Sequence, residues 1–390
     1  MKKLILFLSL LTLFGCNKVK EQEVNLTTNV DINKTKLEYY ENINLYDLIK
    51  IENGTILTEN YQIDTKSLGE KQISFKYKDI DSQEKEYNFT INIDDTTPPL
   101  IFASKKYTTE KGKEFNLLDK VVCGDNYDRE MKCTIEGTYD INKVGEYPVK
   151  IVTTDSHNNT FSKDTTVIVK DKIKNSNPTY YYLKDFIEKY KTDYTIVGID
   201  VSSWQGNINW KKVKESGVDA AMIRIGYGSK NKSTIDKKFK QNLKNAKEAG
   251  IKVGIYYYSY AKDTSEAINQ AKWIINELNN EKLDLPIAFD WEDWSDFMSY
   301  KINFNDLNDI ANAFMEEIEK NGYKAINYGS ATYHEKVWDT QNYPTWLAYY
   351  TDNNDFEEDY IMWQVASDGI VPGIEGYVDL DIIKNTIFNQ

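Results

Sequence analysis

Ile287-Ala288-Phe289-Asp290-Trp291-Glu292 is a short apolar run that ends in two carboxylates, and runs of its kind recur through the second half of the chain. The others cover 196–201, 220–225, 253–258, 325–328, 346–350, 361–365 and 377–380. Unbroken apolar stretches this short predict strands buried on both faces. Between the first five lie helical patterns at 210–215, 235–249, 265–278 and 307–320. Asp263 and Asn305 stand at N-cap positions, and Gly250 and Gly322 at C-cap positions. Strands that return through helices predict a parallel α/β barrel over 195–390, with five β/α units followed by three bare strands.

Barrel enzymes carry their chemistry at the C-terminal ends of strands. Asp200 closes the first run, Asp290 and Glu292 the fourth, and Asp379 with Asp381 the eighth. Residues two apart on a strand share a face, so Asp290 and Glu292 are expected to point into the barrel mouth, with Trp291 turned away. Two acids in one pocket perturb each other: one is kept protonated as a general acid while its neighbour stays ionised. Their backbone spacing of roughly 6.5 Å falls between retaining and inverting separations, so the stereochemical outcome stays open.

Working outward, the 390 residues are too many for one ordinary domain, and the chain opens as an exported protein does. Lys2 and Lys3 precede an apolar stretch, 4–14, too short to span a bilayer, and residues 1–15 read as a lipoprotein signal. Leu13-Phe14-Gly15-Cys16 looks like a lipobox, with Cys16 as the lipidated residue, although Phe14 is less usual there than a small residue. The alternative is an ordinary cleaved signal with an incidental cysteine. The expected location is extracytoplasmic, with a membrane anchor at Cys16. Removing Cys16 leaves Cys123 and Cys133, a pair suited to a local disulfide in an oxidising setting. The only histidines, His157 and His334, are not at metal spacing from these cysteines, so no metal site and no cofactor are expected, and both read as surface or packing residues.

A tether, 16–29, leads into an internal repeat. Ile43-Asn44-Leu45-Tyr46-Asp47 recurs as Phe115-Asn116-Leu117-Leu118-Asp119, and Ile63-Asp64-Thr65 with Leu68-Gly69-Glu70 recurs as Tyr139-Asp140-Ile141 with Val144-Gly145-Glu146. Alternation at Ile73, Phe75, Tyr77 and at Tyr147, Val149, Ile151 has the period of strands with one buried face. Two modules, 30–95 and 96–171, resemble bacterial immunoglobulin-like domains, and 172–194 reads as a linker with a short helix. The fold class is therefore multidomain: two all-β sandwiches followed by an α/β, irregular TIM-like barrel.

A formal charge of −13 weighs against nucleic acid, while 29 tyrosines and 8 tryptophans supply flat faces for uncharged ligands. Gly198-Ile199-Asp200-Val201-Ser202-Ser203-Trp204-Gln205-Gly206, Phe289-Asp290-Trp291-Glu292, Trp363-Gln364-Val365-Ala366 and Val378-Asp379-Leu380-Asp381 resemble, in order, the glycoside hydrolase family 25 lysozymes. The resemblance implies a muramidase that cuts the β-1,4 bond from N-acetylmuramic acid to N-acetylglucosamine in peptidoglycan glycan strands. It makes Glu292 the acid/base, with Asp200, Asp290 and Asp379 shaping the pocket. The substrate's own N-acetyl group is expected to attack the reacting carbon, oriented by Asp290. Trp204, Tyr256, Tyr258, Trp294, Trp346, Tyr349, Trp363, Gln364 and Asp381 are the candidate sugar contacts, with barrel filling as the alternative for the aromatics. Asp381 stands where the family more often shows Asn. Gly226-Tyr227-Gly228-Ser229 reads as a glycine-containing turn and not a phosphate loop. The rival reading is a surface lipoprotein that binds wall glycan without cutting it. Nothing in the sequence gives an oligomeric state.

Overall fold

The computed structural model describes residues 26–173, 180–229, 232–339 and 342–389. The signal segment, Cys16, most of the tether and Asn175–Pro178 of the linker lie outside the described residues. The chain divides into two compact units, Met1–Asp94 and Asp95–Gln390, the second holding both the second β module and the barrel.

The repeat seen in sequence is a repeat in topology. In the first unit, strand 69–78 pairs antiparallel with 84–94, 36–38 pairs parallel with 84–94, and 29–32 pairs with 49–52. In the second module 145–154 pairs with 160–170, 106–110 pairs parallel with 160–170, and 100–102 pairs with 122–124. Each copy is a four-stranded sheet facing a two-stranded one. The inward residues of the period-two runs make each core: Ile73, Phe75, Ile91 and Ile93 in one, Val149, Ile151, Val167 and Val169 in the other. Cys123 and Cys133 are joined as a disulfide.

Among the described residues, eight strands close the second half of the chain into a ring: β1 (Thr195–Val201), β2 (Ala220–Ser229), β3 (Lys252–Tyr258), β4 (Ile287–Asp290), β5 (Ala325–Ser330), β6 (Thr345–Ala348), β7 (Met362–Ile370) and β8 (Val378–Lys384). Each of β1 to β6 pairs parallel with the next, and β8 pairs antiparallel with both β7 and β1. The reversed β8 departs from the all-parallel expectation. The β7–β8 connection is too short for the crossover that a parallel return requires, so the chain turns back.

Among the described residues, seven α-helices accompany the ring: α1 (Leu183–Tyr190), α2 (Trp210–Glu215), α3 (Phe239–Glu248), α4 (Thr264–Leu278), α5 (Phe297–Tyr300), α6 (Phe304–Lys320) and α7 (Ala331–Lys336). Asp263 caps α4 by accepting the Glu266 N–H at 2.8 Å, as expected. The cap of α6 is Asn303, not Asn305: Asn303 and Asp306 form a reciprocal capping box, and the helix starts two residues before Asn305 permits. The pattern at 235–249 merges two elements, since Lys232–Ile235 is a strand and α3 begins at Phe239. That strand forms a hairpin with the end of β2, so Gly226–Ser229 is a strand and not the turn its glycines suggested. Gly226 is glycine for closeness, because a Cβ there would lie 2.3 Å from the Thr234 carbonyl oxygen. Within the segment read as a linker, Tyr181–Tyr182 pairs with the end of β7, and α1 buries Leu183 and Phe186 in the barrel's outer layer.

Strand parity sorts the barrel into two layers. Odd positions on β1 to β4, such as Ile199, Ile223, Ile255 and Phe289, face the helices, where they join Leu243, Ile274, Leu307 and Phe314. Even positions, Ala220, Met222 and Ala288, fill the interior with Ile326, Trp346, Met362 and Ile383. The interior is packed at its base and turns polar towards the C-terminal ends of β1 to β7, where the next residues of the same parity are Asp200, Arg224, Tyr258, Asp290, Tyr328 and Gln364.

Candidate active site

The mouth carboxylates reach one rim by two routes. Asp200 and Asp290 lie at the ends of parallel strands, whereas Asp379 and Asp381 lie at the start of β8, whose reversal brings its N-terminal end to the same rim. The register sets Asp379 opposite Asp200, and Asp381 opposite both Gly198 and Gln364. Glu292 is not on the strand with Asp290 as expected. β4 ends at Asp290, and Glu292 stands two residues beyond, where its carbonyl accepts the Trp294 N–H at 2.8 Å. Trp291 between them is fully buried in the outer layer and donates its indole N–H to the Ala261 carbonyl at 3.0 Å. Alternation about this anchored indole turns the two acids inward.

One buried network fixes the floor. Gln364 donates to Asp200 Oδ2 at 2.7 Å, while its amide oxygen accepts from the hydroxyls of Tyr328 at 2.9 Å and Tyr350 at 2.8 Å. Two phenols on the oxygen leave the amide nitrogen for Asp200, which sets the orientation of the amide. Trp346 donates to Asp381 Oδ1 at 2.9 Å and lies edge-on to Tyr328 and Tyr256, with ring centroids 4.8 and 6.2 Å apart. Among the described residues, Asp290 Oδ1 is buried and finds no hydrogen-bond partner.

The electrostatics follow from packing several acids into one concavity. Burial raises Asp200 well above the carboxylate range, and the charges of Asp379 and Asp381 raise it further against the Gln364 donor. Asp290 is raised by burial and then by Glu292, with Arg224 opposing. Asp381 is raised by burial and then by Asp379. Glu292 keeps solvent contact at the mouth, yet the surrounding protein displaces enough water to push it up to about 7, with Asp379 adding to the shift. Desolvation pushes Asp379 up to about 6. A carboxyl near 7 that solvent and substrate can reach is suited to giving up and recovering a proton at neutral pH.

Of the candidate contacts, Tyr256, Tyr258, Trp346, Gln364 and Asp381 share the inward face with the catalytic candidates. Trp204 stands 84% exposed on the turn after β1, a flat face open to a sugar ring. Three others are not brought to the mouth. Trp363 is odd in parity to Gln364, faces the outer layer edge-on to Tyr190, and donates to the Tyr349 carbonyl at 2.8 Å. Tyr349 packs on that layer and donates to Asp355 at 2.7 Å. Trp294 stacks on Tyr333 at 3.5 Å, again outside the ring. Sequence reading missed Arg224, Asp236, Tyr328 and Tyr350. Counting by twos from Ala220 reaches Arg224, and from Trp346 reaches Tyr350, so parity alone could have found both. Asp236 could not be found that way. It ties Arg224, at 2.8 and 3.0 Å, to the Ser203 N–H, at 3.0 Å, and so holds the turn that presents Trp204. Burial pushes the Asp236 carboxyl up, but the backbone donors of Lys238 and Ser203 together with Arg224 bring it below its usual range.

A separate cavity of about 820 Å³, lined by His334, Trp338, Tyr343, Tyr360 and Lys384 among others, contains none of the mouth carboxylates. Burial holds His334 down at about 4, so it is neutral at physiological pH and packs as expected.

Residues 199–374 match the family model for glycosyl hydrolases family 25. Over that stretch the chain is similar to the family 25 glycosyl hydrolases. The match runs from within β1 through β7 and takes in Asp200, Asp290 and Glu292. Over 217 residues the chain is 28% identical to the uncharacterized protein YegX of Escherichia coli (strain K12), covering 53% of this chain and 76% of that one. It is 27% identical over 187 residues to the autolytic lysozyme of Clostridium acetobutylicum, covering 47% of this chain and 54% of the relative. A solved family 25 glycosyl hydrolase from Bacillus anthracis aligns at 24% identity and a TM-score of 0.45, over 54% of this chain and 94% of that chain. The matched residues begin within the first barrel strand, and the β modules lie outside them.

Proposed function

We propose that this chain is a muramidase that hydrolyses the β-1,4 bond from N-acetylmuramic acid to N-acetylglucosamine in peptidoglycan. The observation that carries the assignment of roles is the unequal setting of two acids at the end of β4. Glu292 is solvent-accessible with its pKa near 7, while Asp290 is buried with an unused carboxylate oxygen. Glu292 protonates the leaving glycosidic oxygen as the acetamido oxygen of the same sugar attacks its anomeric carbon. Asp290 accepts from the acetamido N–H and orients it. Glu292, now ionised, removes a proton from the water that opens the cyclic intermediate, which restores the starting state. Asp200 and Asp379 shape the pocket, and Trp204, Tyr256 and Tyr258 offer ring faces to the glycan.

The modules are read as immunoglobulin-like spacers or wall binders, and the barrel as an irregular TIM-like barrel. With a lipid on Cys16 the enzyme would be anchored outside the cytoplasmic membrane, with tether and modules between anchor and barrel along the chain.

The pH profile tests the roles. Because Glu292 must carry a proton to act as acid, kcat/KM on soluble glycan fragments is expected to fall as pH rises through about 7. Stability should fall across a neighbouring window for the same reason. A carboxyl raised from 4.5 to about 7 binds its proton more tightly in the folded state, so folding loses free energy as pH rises from about 4.5 to about 7. A kcat/KM that stays flat well above pH 7 would contradict the assignment.

A further inference from the structure

We propose that Asp95, Asp125 and Asp155 form a binding site for a hard divalent cation of the calcium class, and that the cation holds the 125–129 loop in the shape that grips the catalytic barrel. One carboxylate oxygen from each aspartate lies within 4.8 Å of one from each of the others. The three residues are 2%, 0% and 7% exposed and come from three loops of the second compact unit. Their neighbours hold them in place. Asp125 Oδ1 accepts the N–H groups of Tyr127 and Asp128 at 2.8 and 2.7 Å, and Asp155 Oδ1 those of His157 and Asn159, each at 2.8 Å. Asn159 Nδ2 donates to Asp155 Oδ2 at 2.8 Å, and Asn126 Nδ2 to Asp95 Oδ1 at 3.1 Å.

Among the described residues, Oδ2 of the fully buried Asp125 and Oδ1 of the neighbouring Asn126 have no hydrogen-bond partner. Three clustered carboxylates also need countercharge. His157 Nδ1 lies 3.5 Å from Asp95 Oδ2. The internal repeat supplies a comparison. In the first module the aspartate that follows the long strand, as Asp155 does, is Asp79, which makes the same turn bonds and pairs with Lys85 at 2.7 Å. The position after that module's 49–52 strand is Asn53. One copy answers its buried aspartate with a lysine, and the other gathers three aspartates. All-oxygen donors on irregular loops suit calcium, which accepts variable geometry, better than magnesium or a soft metal.

The site shares its loop with the barrel. The carbonyls of Asp125, Asn126 and Tyr127 accept, each at 2.8 Å, from the Phe304 N–H and from the side-chain amides of Asn305 and Asn303, at the start of α6. Arg129 pairs with both oxygens of Asp306 at 2.6 and 2.8 Å, and Gly124 lies so close beneath Phe304 that a Cβ would come within 2.3 Å of its ring. No motif reveals this site, because its ligands lie thirty residues apart.

The test uses the full chain, stripped of metal, at neutral pH. Terbium titration should give tyrosine-sensitised emission that calcium displaces, with calcium half-saturating at about 10⁻⁴–10⁻³ M, the range of extracellular modules, and magnesium competing more weakly. Saturating calcium should raise the thermal midpoint by a few degrees and slow hydrogen exchange at the Phe304 amide. Asp125→Asn and Asp155→Asn, which keep the turn acceptors, should lose these responses. If the wild-type chain shows neither terbium emission nor a calcium-dependent midpoint, or if both variants respond as wild type does, the site is refuted. Calcium binding that leaves Phe304 exchange unchanged would refute the link to the barrel.

Discussion

Glu292→Gln is expected to lower kcat on peptidoglycan by about 10²–10⁴-fold while changing KM little, because the amide fills the same volume but has no proton to give. The fold should not suffer. Glu292 sits in a group of carboxylates that raise one another's pKa, so removing one charge relieves repulsion, and the thermal midpoint should stay level or rise. Turnover near that of the native chain would remove Glu292 from its role, and a sugar ester found on Asp290 would replace the acetamido route with direct nucleophilic attack.

Trp291→Ala is the structural counterpart. The indole is fully buried against Trp294, Phe297 and Tyr300, with centroids 5.0, 6.2 and 6.0 Å away, and bonds the Ala261 carbonyl. Truncating so large a core side chain costs about 3–5 kcal/mol. It also frees the segment that aims Asp290 and Glu292, so kcat/KM should drop by more than tenfold even where the protein stays folded. Urea unfolding followed by tryptophan fluorescence reads the cost in the barrel alone, since all 8 tryptophans lie between Trp204 and Trp363. Trp291→Phe should recover part of the packing but leave the Ala261 carbonyl without its donor. A loss below about 1 kcal/mol for the alanine variant would show that Trp291 is not the anchor described.

The barrel was legible because buried strands write themselves as apolar runs. All eight runs coincide with ring strands to within a few residues. The direction of β8 was not legible, since an apolar run reads alike both ways and only the brevity of its connection hints at reversal. That reversal matters at the site: Asp379 and Asp381 reach the mouth from the start of their strand, not its end. The aromatic contacts were read from closeness to strand ends, and closeness does not choose a face. Period two does: it keeps Trp346 and Gln364 inside and sends Tyr349 and Trp363 outside. The repeat was visible because turn and core residues recur in register. The acid cluster of the second module was not, because three distant loops meet only after folding.

The muramidase reading rests on which glycosidic bond is cut, and mass analysis of borohydride-reduced digestion products tests that most directly. Digestion of purified peptidoglycan by the native chain should yield muropeptides whose reduced terminal sugar is N-acetylmuramic acid. Products ending in reduced N-acetylglucosamine, or no new reducing ends beyond those left by Glu292→Gln, would contradict it.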